Sequence, residues 1–153
     1  MMPSQKDFSP VSPDRHSWRF NISGEAMKLF FFLGAFFCFL GVLAGALGAH
    51  GLKEYLSQSN GLSNFNLATD YMFYHGMGLL MVAFARDRYP ALSFHFAGWL
   101  FIAGTLLFQG NLFLMTLTGN RMLVMLTPVG GFCLMAGWIL FALQALRIPK
   151  SIG

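Results

Sequence analysis

Charged residues are scarce in this sequence. Only 10% of its 153 residues are Asp, Glu, Lys or Arg, whereas 56% are hydrophobic. An ordinary soluble domain is about 25% charged, and this length suits about one domain. The apolar residues also form long uninterrupted runs, as a bilayer protein requires. The composition therefore excludes soluble globular, coiled-coil and disordered proteins.

Cysteine is scarce too, and so is any cluster of basic residues. The two cysteines, Cys38 and Cys133, both lie inside apolar runs, which excludes a disulfide scaffold. Lys and Arg outnumber Asp and Glu by 10 to 6, but no basic cluster with interleaved aromatics indicates a nucleic-acid partner. The basic residues stand at the edges of apolar runs, where they act as topology signals.

Four apolar runs follow one another along the chain, at residues 29–49, 71–85, 91–117 and 122–146. A helix over the first run spans roughly 31 Å, one hydrocarbon thickness. The second run reaches membrane length if it starts near Leu67. Transmembrane strands would alternate strictly over about 10 residues, which these runs do not. We therefore predict an all-α membrane protein in which residues 27–147 form a four-helix transmembrane bundle.

The segments on either side of the predicted bundle are polar. Residues 1–26 form a Pro/Ser-rich tail, and residues 148–153 form a short basic tail. With four helices, both tails and the middle loop share one side of the membrane, and that side carries eight of the ten Lys and Arg residues. The other side carries Lys53 and Arg121. The positive-inside rule then places both termini in the cytoplasm.

Small residues mark helix faces where backbones approach closely, because lipid gives no hydrophobic drive between helices. Seven glycines recur at helical spacing and are predicted to pack helices together: Gly34, Gly41, Gly45, Gly48, Gly104, Gly130 and Gly137. The alternative is that these glycines let a substrate reach the backbone.

Polar residues concentrate at the helix ends on the non-cytoplasmic side. In lipid such groups are costly and usually face the bundle or a cavity. We predict that they form a polar pocket near the outer surface; the alternative is that each only bonds across helices or sits at the interface. The candidate pocket residues are His50, Asp70, Tyr71, Tyr74, His75, Gln109, Asn111 and Thr127.

Patterns that carry chemistry are missing from the sequence. Two histidines and a carboxylate could bind a metal, but no H-x-x-x-H or E-x-x-H spacing supports such a site. The sequence also has no phosphate loop and no nucleophile with a base and an orienting group. We therefore expect no catalytic residue, no metal and no cofactor, and we expect that the protein is not an enzyme.

Four ordered motifs resemble one known family. They are Gly45-Ala-Leu-Gly-Ala-His50, Tyr71-x-x-x-His75, Gly104-x-Leu-Leu-Phe-x-Gly110, and Thr127-Pro-Val-Gly-Gly131 with Ala136-Gly-Trp138. In this order they resemble the YgdD-like family, domain of unknown function 423, over residues 27–147. The family includes eukaryotic transmembrane protein 256. The resemblance implies a small four-helix inner-membrane protein and no established biochemical activity.

The sequence leaves two possible functions open. The glycine faces suit helix–helix contact and no chemistry stands out, which favours an accessory or assembly subunit of a larger membrane complex. Its partners would be the lipid bilayer and other membrane proteins, or further copies of itself. The alternative is a small-solute or proton transporter or channel that uses the outer polar pocket.

Overall fold

The computed structural model describes residues 15–120 and 124–149, with side chains from Gly24 onward. The first part of the expected tail (residues 1–14), Arg121 and the last residues of the basic tail (150–153) lie outside the described residues. The described chain is helical throughout, joined by short turns. Its helices are α1 (Arg15–Ala49), α2 (Lys53–Gln58), α3 (Leu62–Arg88), α4 (His95–Thr105), α5 (Asn111–Thr118) and α6 (Leu126–Ala145).

One helix changes its winding part-way along. A π-helical turn, Leu106–Gly110, connects α4 directly to α5, so that α4, the π turn and α5 form one continuous helix, His95–Thr118. Gly119 ends this helix with a φ of 70°. A left-handed residue of this kind is a common helix stop, and glycine adopts it without strain.

The α1 and α3 helices pack closely along their lengths. A Cβ added at Gly34 would lie 2.9 Å from Leu80, and one at Gly48 would lie 2.8 Å from the ring of Phe65. The early part of α1 therefore faces the late part of α3, and the two helices run antiparallel side by side. Glycine is required at this interface because larger side chains would push the backbones apart.

The α3 and α4 helices form the centre of the molecule, with α1 on one flank and α6 on the other. Phe30 of α1 reaches α4, where a Cβ added at Gly98 would lie 2.7 Å from its ring. On the other flank, Trp138 of α6 reaches α3 and lies 3.1 Å from the position of a Cβ at Gly78. Phe101 is fully buried between these flanks. The core is thus built mainly from large aromatic rings set against glycines.

Three described helices are long and apolar enough to cross a membrane: Gly24–Ala49 within α1, His95–Thr118 and Leu126–Ala145. The all-α membrane fold predicted from the sequence is confirmed at this level. The α3 helix is 27 residues long but is not among the three, since polar residues crowd its first half. A fourth span, formed by α3, is therefore a proposal and not an observation.

The helices extend beyond the predicted runs at two points. The α1 helix begins at Arg15, so the second half of the segment expected as a tail is helical. The α3 helix begins at Leu62, well before the second apolar run. The reason is the same in both cases: once an apolar segment is helical, each further turn adds hydrogen bonds without a new nucleation cost.

Candidate functional site

The π turn defines the centre of the candidate site. Each residue in a π turn bonds five positions away rather than four, and such turns occur often at functional sites. This turn places the side chain of Gln109 in the protein interior, where it is fully buried. The backbone of α6 lies directly against the turn at Gly130, where an added Cβ would be 2.5 Å from the main-chain nitrogen of Phe108.

His75 faces the π turn from α3. Its side chain is only 5% exposed, and its Nδ1 lies 2.7 Å from the main-chain carbonyl oxygen of Tyr71, one turn earlier. A carbonyl oxygen can only accept, so Nδ1 carries the proton and donates it to Tyr71. The other ring nitrogen, Nε2, then carries a lone pair and can accept a hydrogen bond.

Gln109 lies beside this histidine but is only partly satisfied. Its amide is 3.3 Å from Nδ1 of His75, while its Oε1 has no hydrogen-bond partner among the described residues. Turning the amide over exchanges its oxygen and nitrogen, which would let the oxygen accept from Nδ1 but leave the nitrogen unpaired. The hydroxyl of Thr105, one turn before Gln109, is also buried without a partner in the described chain. Two incompletely satisfied polar groups therefore lie one turn apart on this helix, and Gln109 is the one that contacts His75.

Aromatic rings surround His75. The rings of Phe101 and Trp138 lie 5.8 and 6.2 Å from it, centroid to centroid. The ring of Tyr71 lies 5.7 Å away on the same helix and stacks on Phe108 of the π turn at 5.6 Å. This histidine is therefore enclosed by aromatic faces rather than by charges.

A cavity of about 530 Å³ opens beside these rings, between α3 and α6, and we call it the His75 groove. Three of the predicted pocket residues line it: Tyr71, Tyr74 and His75. The remaining lining residues are Phe108, Gly131, Leu134, Met135 and Trp138. The groove is thus apolar and aromatic along its walls, with His75 as its buried polar group.

The other predicted pocket residues lie apart from the groove. Asn111 and Thr127 pair with each other, with the Asn111 amide nitrogen donating to the Thr127 hydroxyl at 2.6 Å, so they link α5 to α6. His50 is exposed beyond the end of α1, and Asp70 is exposed on α3. Asp70 lines a different, wider depression together with Asn60 and other residues at the start of α3.

The predicted packing glycines all lie at helix contacts. Gly41 and Gly45 of α1 face Phe73 and Thr69 of α3, in series with Gly34 and Gly48. On the other flank, a Cβ at Gly104 would lie 2.5 Å from Leu134, and one at Gly137 would lie 2.7 Å from Phe101. These contacts leave no room for a substrate at the glycines themselves.

Metal ligands do not cluster in the part of the chain that the structure describes, where no group of three His, Cys, Asp or Glu residues occurs. Both described cysteines are free. The groups shown at the site offer hydrogen bonding and contact with aromatic rings.

Sequence reasoning missed the walls of the groove. Leu134 and Met135 were not singled out, because nothing in their spacing distinguishes them from lipid-facing positions. Phe108, Gly131 and Trp138 did stand in the quoted motifs, in the two that follow the motif containing His75. The motif series was thus the one signal that could have indicated this wall.

The fold and the groove define a small all-helical integral membrane protein. The profile of the family described as Protein of unknown function (DUF423) matches residues 44–131, which is more than half of the chain, and the chain belongs to this family. The resemblance expected from the motifs is therefore confirmed.

Similar chains carry the name UPF0382 membrane protein. That of Staphylococcus haemolyticus is 36% identical over 121 residues, which cover 79% of this chain and 98% of the relative. The UPF0382 membrane protein YwdK of Bacillus subtilis is 37% identical over 122 residues, with the same two coverages. That of Staphylococcus saprophyticus is 36% identical and is covered completely, over 80% of this chain. No solved structure matches this chain.

Proposed function

We propose that this protein spans the bacterial inner membrane four times, with both termini in the cytoplasm, and serves as a non-enzymatic accessory subunit of a larger membrane complex. The observation that carries the proposal is the weak coverage of α6. Only 17% of the apolar stretch of α6 is buried, against 22% for that of α1 and 39% for the helix His95–Thr118. Because α6 packs against the rest of the protein on one side only, its other side is available to a partner.

The α3 helix supplies the fourth span in this proposal. Its 27 residues reach about 40 Å, which exceeds the hydrocarbon thickness of about 30 Å. It packs antiparallel along α1, which is itself long and apolar enough to cross. A helix paired with a spanning helix over its whole length occupies the same depth. Arg86 and Arg88 in its last turn suit a cytoplasmic end.

The partner surface in this proposal is the outward face of α6, and its occupant is a transmembrane helix of another protein. Large apolar side chains project from this face at Phe132 and Ile139, which are 68% and 60% exposed. Neighbouring turns add Val129 and Leu143, which are also exposed. Association of membrane helices relies on packing of such complementary surfaces.

The packed interior favours this proposal over a transporter or channel. A transported solute or proton needs a polar path, and such paths are usually lined by ionisable or polar groups. One and two turns after His75, the core of α3 continues with Leu79 and Val82, and Phe94, the residue before α4, is also part of this core; all three are fully buried. The His75 groove therefore ends against an apolar core.

Site-specific photo-crosslinking tests the proposed partner surface. A photoreactive amino acid at Phe132 or Ile139 should yield a discrete crosslinked protein in the native membrane. The matched controls are Phe32 and Val42 on the outward face of α1, which are 65% and 63% exposed and should crosslink mainly lipid. Lipid adducts alone at all four positions would contradict the proposal.

A further inference from the structure

The His75 groove offers a hydrogen-bond acceptor that the fold itself does not use. Because Nδ1 donates to the carbonyl of Tyr71, Nε2 is the acceptor, and it makes no hydrogen bond to any described residue. His75 lines the groove, so Nε2 is the ring atom left for an occupant. The donor that completes this arrangement must come from that occupant.

The aromatic residues that line the His75 groove favour a ligand that contains a flat ring. Tyr71 and Phe108 stack with an angle of 27° between their planes, and Trp138 of α6 lines the same groove. Aromatic rings pair favourably with another ring in offset or edge-on geometry. A ring that enters between α3 and α6 meets such faces on both sides.

The size and position of the groove indicate how the ligand arrives. Its volume of about 530 Å³ falls in the usual range for small-molecule sites, about 300–1,000 Å³. Its rim includes Tyr74 and Met135, both exposed on the outer faces of their helices. Gly131 also lines the groove, and a Cβ added there would make ordinary van der Waals contact with the ring of Phe108 at 3.7 Å. In a membrane this rim faces lipid, which makes the ligand a lipid-soluble one.

We propose that the His75 groove binds a lipid-soluble phenol, with the phenolic hydroxyl donating to Nε2 of His75 and the ring held between the Tyr71–Phe108 stack and Trp138. This role goes beyond the accessory function and does not depend on the outward face of α6.

Trp138 supplies a built-in reporter for the test. The chain has three tryptophans, so the double variant Trp18→Phe, Trp99→Phe leaves only the one that lines the groove. This variant is placed in lipid nanodiscs and titrated with 4-heptylphenol, while Trp138 fluorescence is excited where the phenol does not absorb. The matched control ligand is 4-heptylanisole, which has the same ring and chain but no hydroxyl donor.

The expected result is a saturable change in Trp138 emission with the phenol, at a concentration roughly tenfold lower than with the anisole, as one hydrogen bond to a buried acceptor provides. In His75→Leu this preference for the phenol should disappear. The variant Gly131→Met leaves His75 intact and places a large side chain in the wall of the groove, so both ligands should lose their effect on Trp138 emission. Equal response to phenol and anisole in the parent, no saturable response, or a preference retained in His75→Leu would each overturn the proposal.

Discussion

Nδ1 of His75 lies 2.7 Å from the main-chain carbonyl oxygen of Tyr71, one helical turn before it on α3. This bond satisfies one side of a buried imidazole within its own helix and fixes which ring nitrogen carries the proton. The histidine therefore needs no charged partner, and the described residues within its surroundings are aromatic rings and the amide of Gln109. The bond to Tyr71 also explains why a histidine can lie at the centre of an apolar bundle.

Two buried amides on the same continuous helix should respond in opposite directions to loss of their polar groups. Gln109→Met should unfold at the same or a higher temperature than the parent, because one end of the Gln109 amide lacks a partner among the described residues. Asn111→Leu should unfold at a lower temperature, because it removes the 2.6 Å bond to Thr127. A cross-helix bond in a membrane is worth about 0.6 kcal/mol on average and up to about 1.7.

Thermal unfolding of the two variants in one detergent measures this contrast. Each variant serves as the other's control, since both replace a buried amide by an apolar side chain of similar size. A loss of more than about 1 kcal/mol in Gln109→Met, on the scale of a missing hydrogen bond, would show that this amide is fully satisfied and would contradict the account.

Two adjacent glycines of α6 should differ sharply in what they tolerate. Gly130→Ala would place a Cβ 2.5 Å from the main-chain nitrogen of Phe108, where only backbone movement can relieve the clash. The expected cost is about 1–3 kcal/mol of unfolding free energy, as for other overpacked sites. Gly131→Ala is the control, because its Cβ would meet its nearest neighbour at 3.7 Å and should leave stability unchanged or slightly raised.

The measurement for this pair is chemical unfolding in mixed micelles followed by circular dichroism. If Gly130→Ala is as stable as Gly131→Ala, then α6 does not lie against the π turn as described. The same titration reports whether the slope of the transition changes, which would indicate a different compactness rather than a different stability.

Much of the fold could be predicted from the sequence, since uninterrupted apolar runs fix where helices lie in a membrane. The predicted end of the first run at residue 49 coincides with the end of α1 at Ala49. The start of α3 at Leu62 could not be found in this way. Its first turns are polar, and α3 is held there by packing of Phe65 against α1, a tertiary contact that no local pattern carries.

The candidate site was less accessible to sequence reasoning. The outer ends of the helices were expected to gather eight polar residues, and the structure brings Tyr71, Tyr74 and His75 to one groove, with Gln109 touching His75 from behind. His50 and Asp70 are exposed, and Asn111 and Thr127 satisfy each other at 2.6 Å. Position along a helix indicates which end a residue occupies, but it does not show which side chain the residue contacts.

The proposed topology predicts opposite labelling of two loop positions. Gln58→Cys, at the end of α2, should react with a membrane-impermeant maleimide in intact cells. Asp87→Cys, in the last turn of α3, should react only after the membrane is opened. The control is the parent chain, whose Cys38 and Cys133 lie within α1 and α6 and should stay unlabelled in both conditions. Labelling of both positions from the same side would mean that α3 does not span.

Native mass spectrometry of the protein extracted with its surrounding lipid tests the accessory role most directly. The tagged full chain is extracted from its own membrane with a styrene–maleic acid polymer, which avoids detergent, and is measured intact. If the protein is an accessory subunit, the particle has a defined mass and contains this chain and at least one different membrane protein. This role also predicts that the large, polar substitution Phe132→Gln on the outward face of α6 releases the partner, while Phe32→Gln on α1 does not. Recovery of this chain alone, or only with copies of itself, would contradict the proposed role as an accessory subunit of a larger membrane complex.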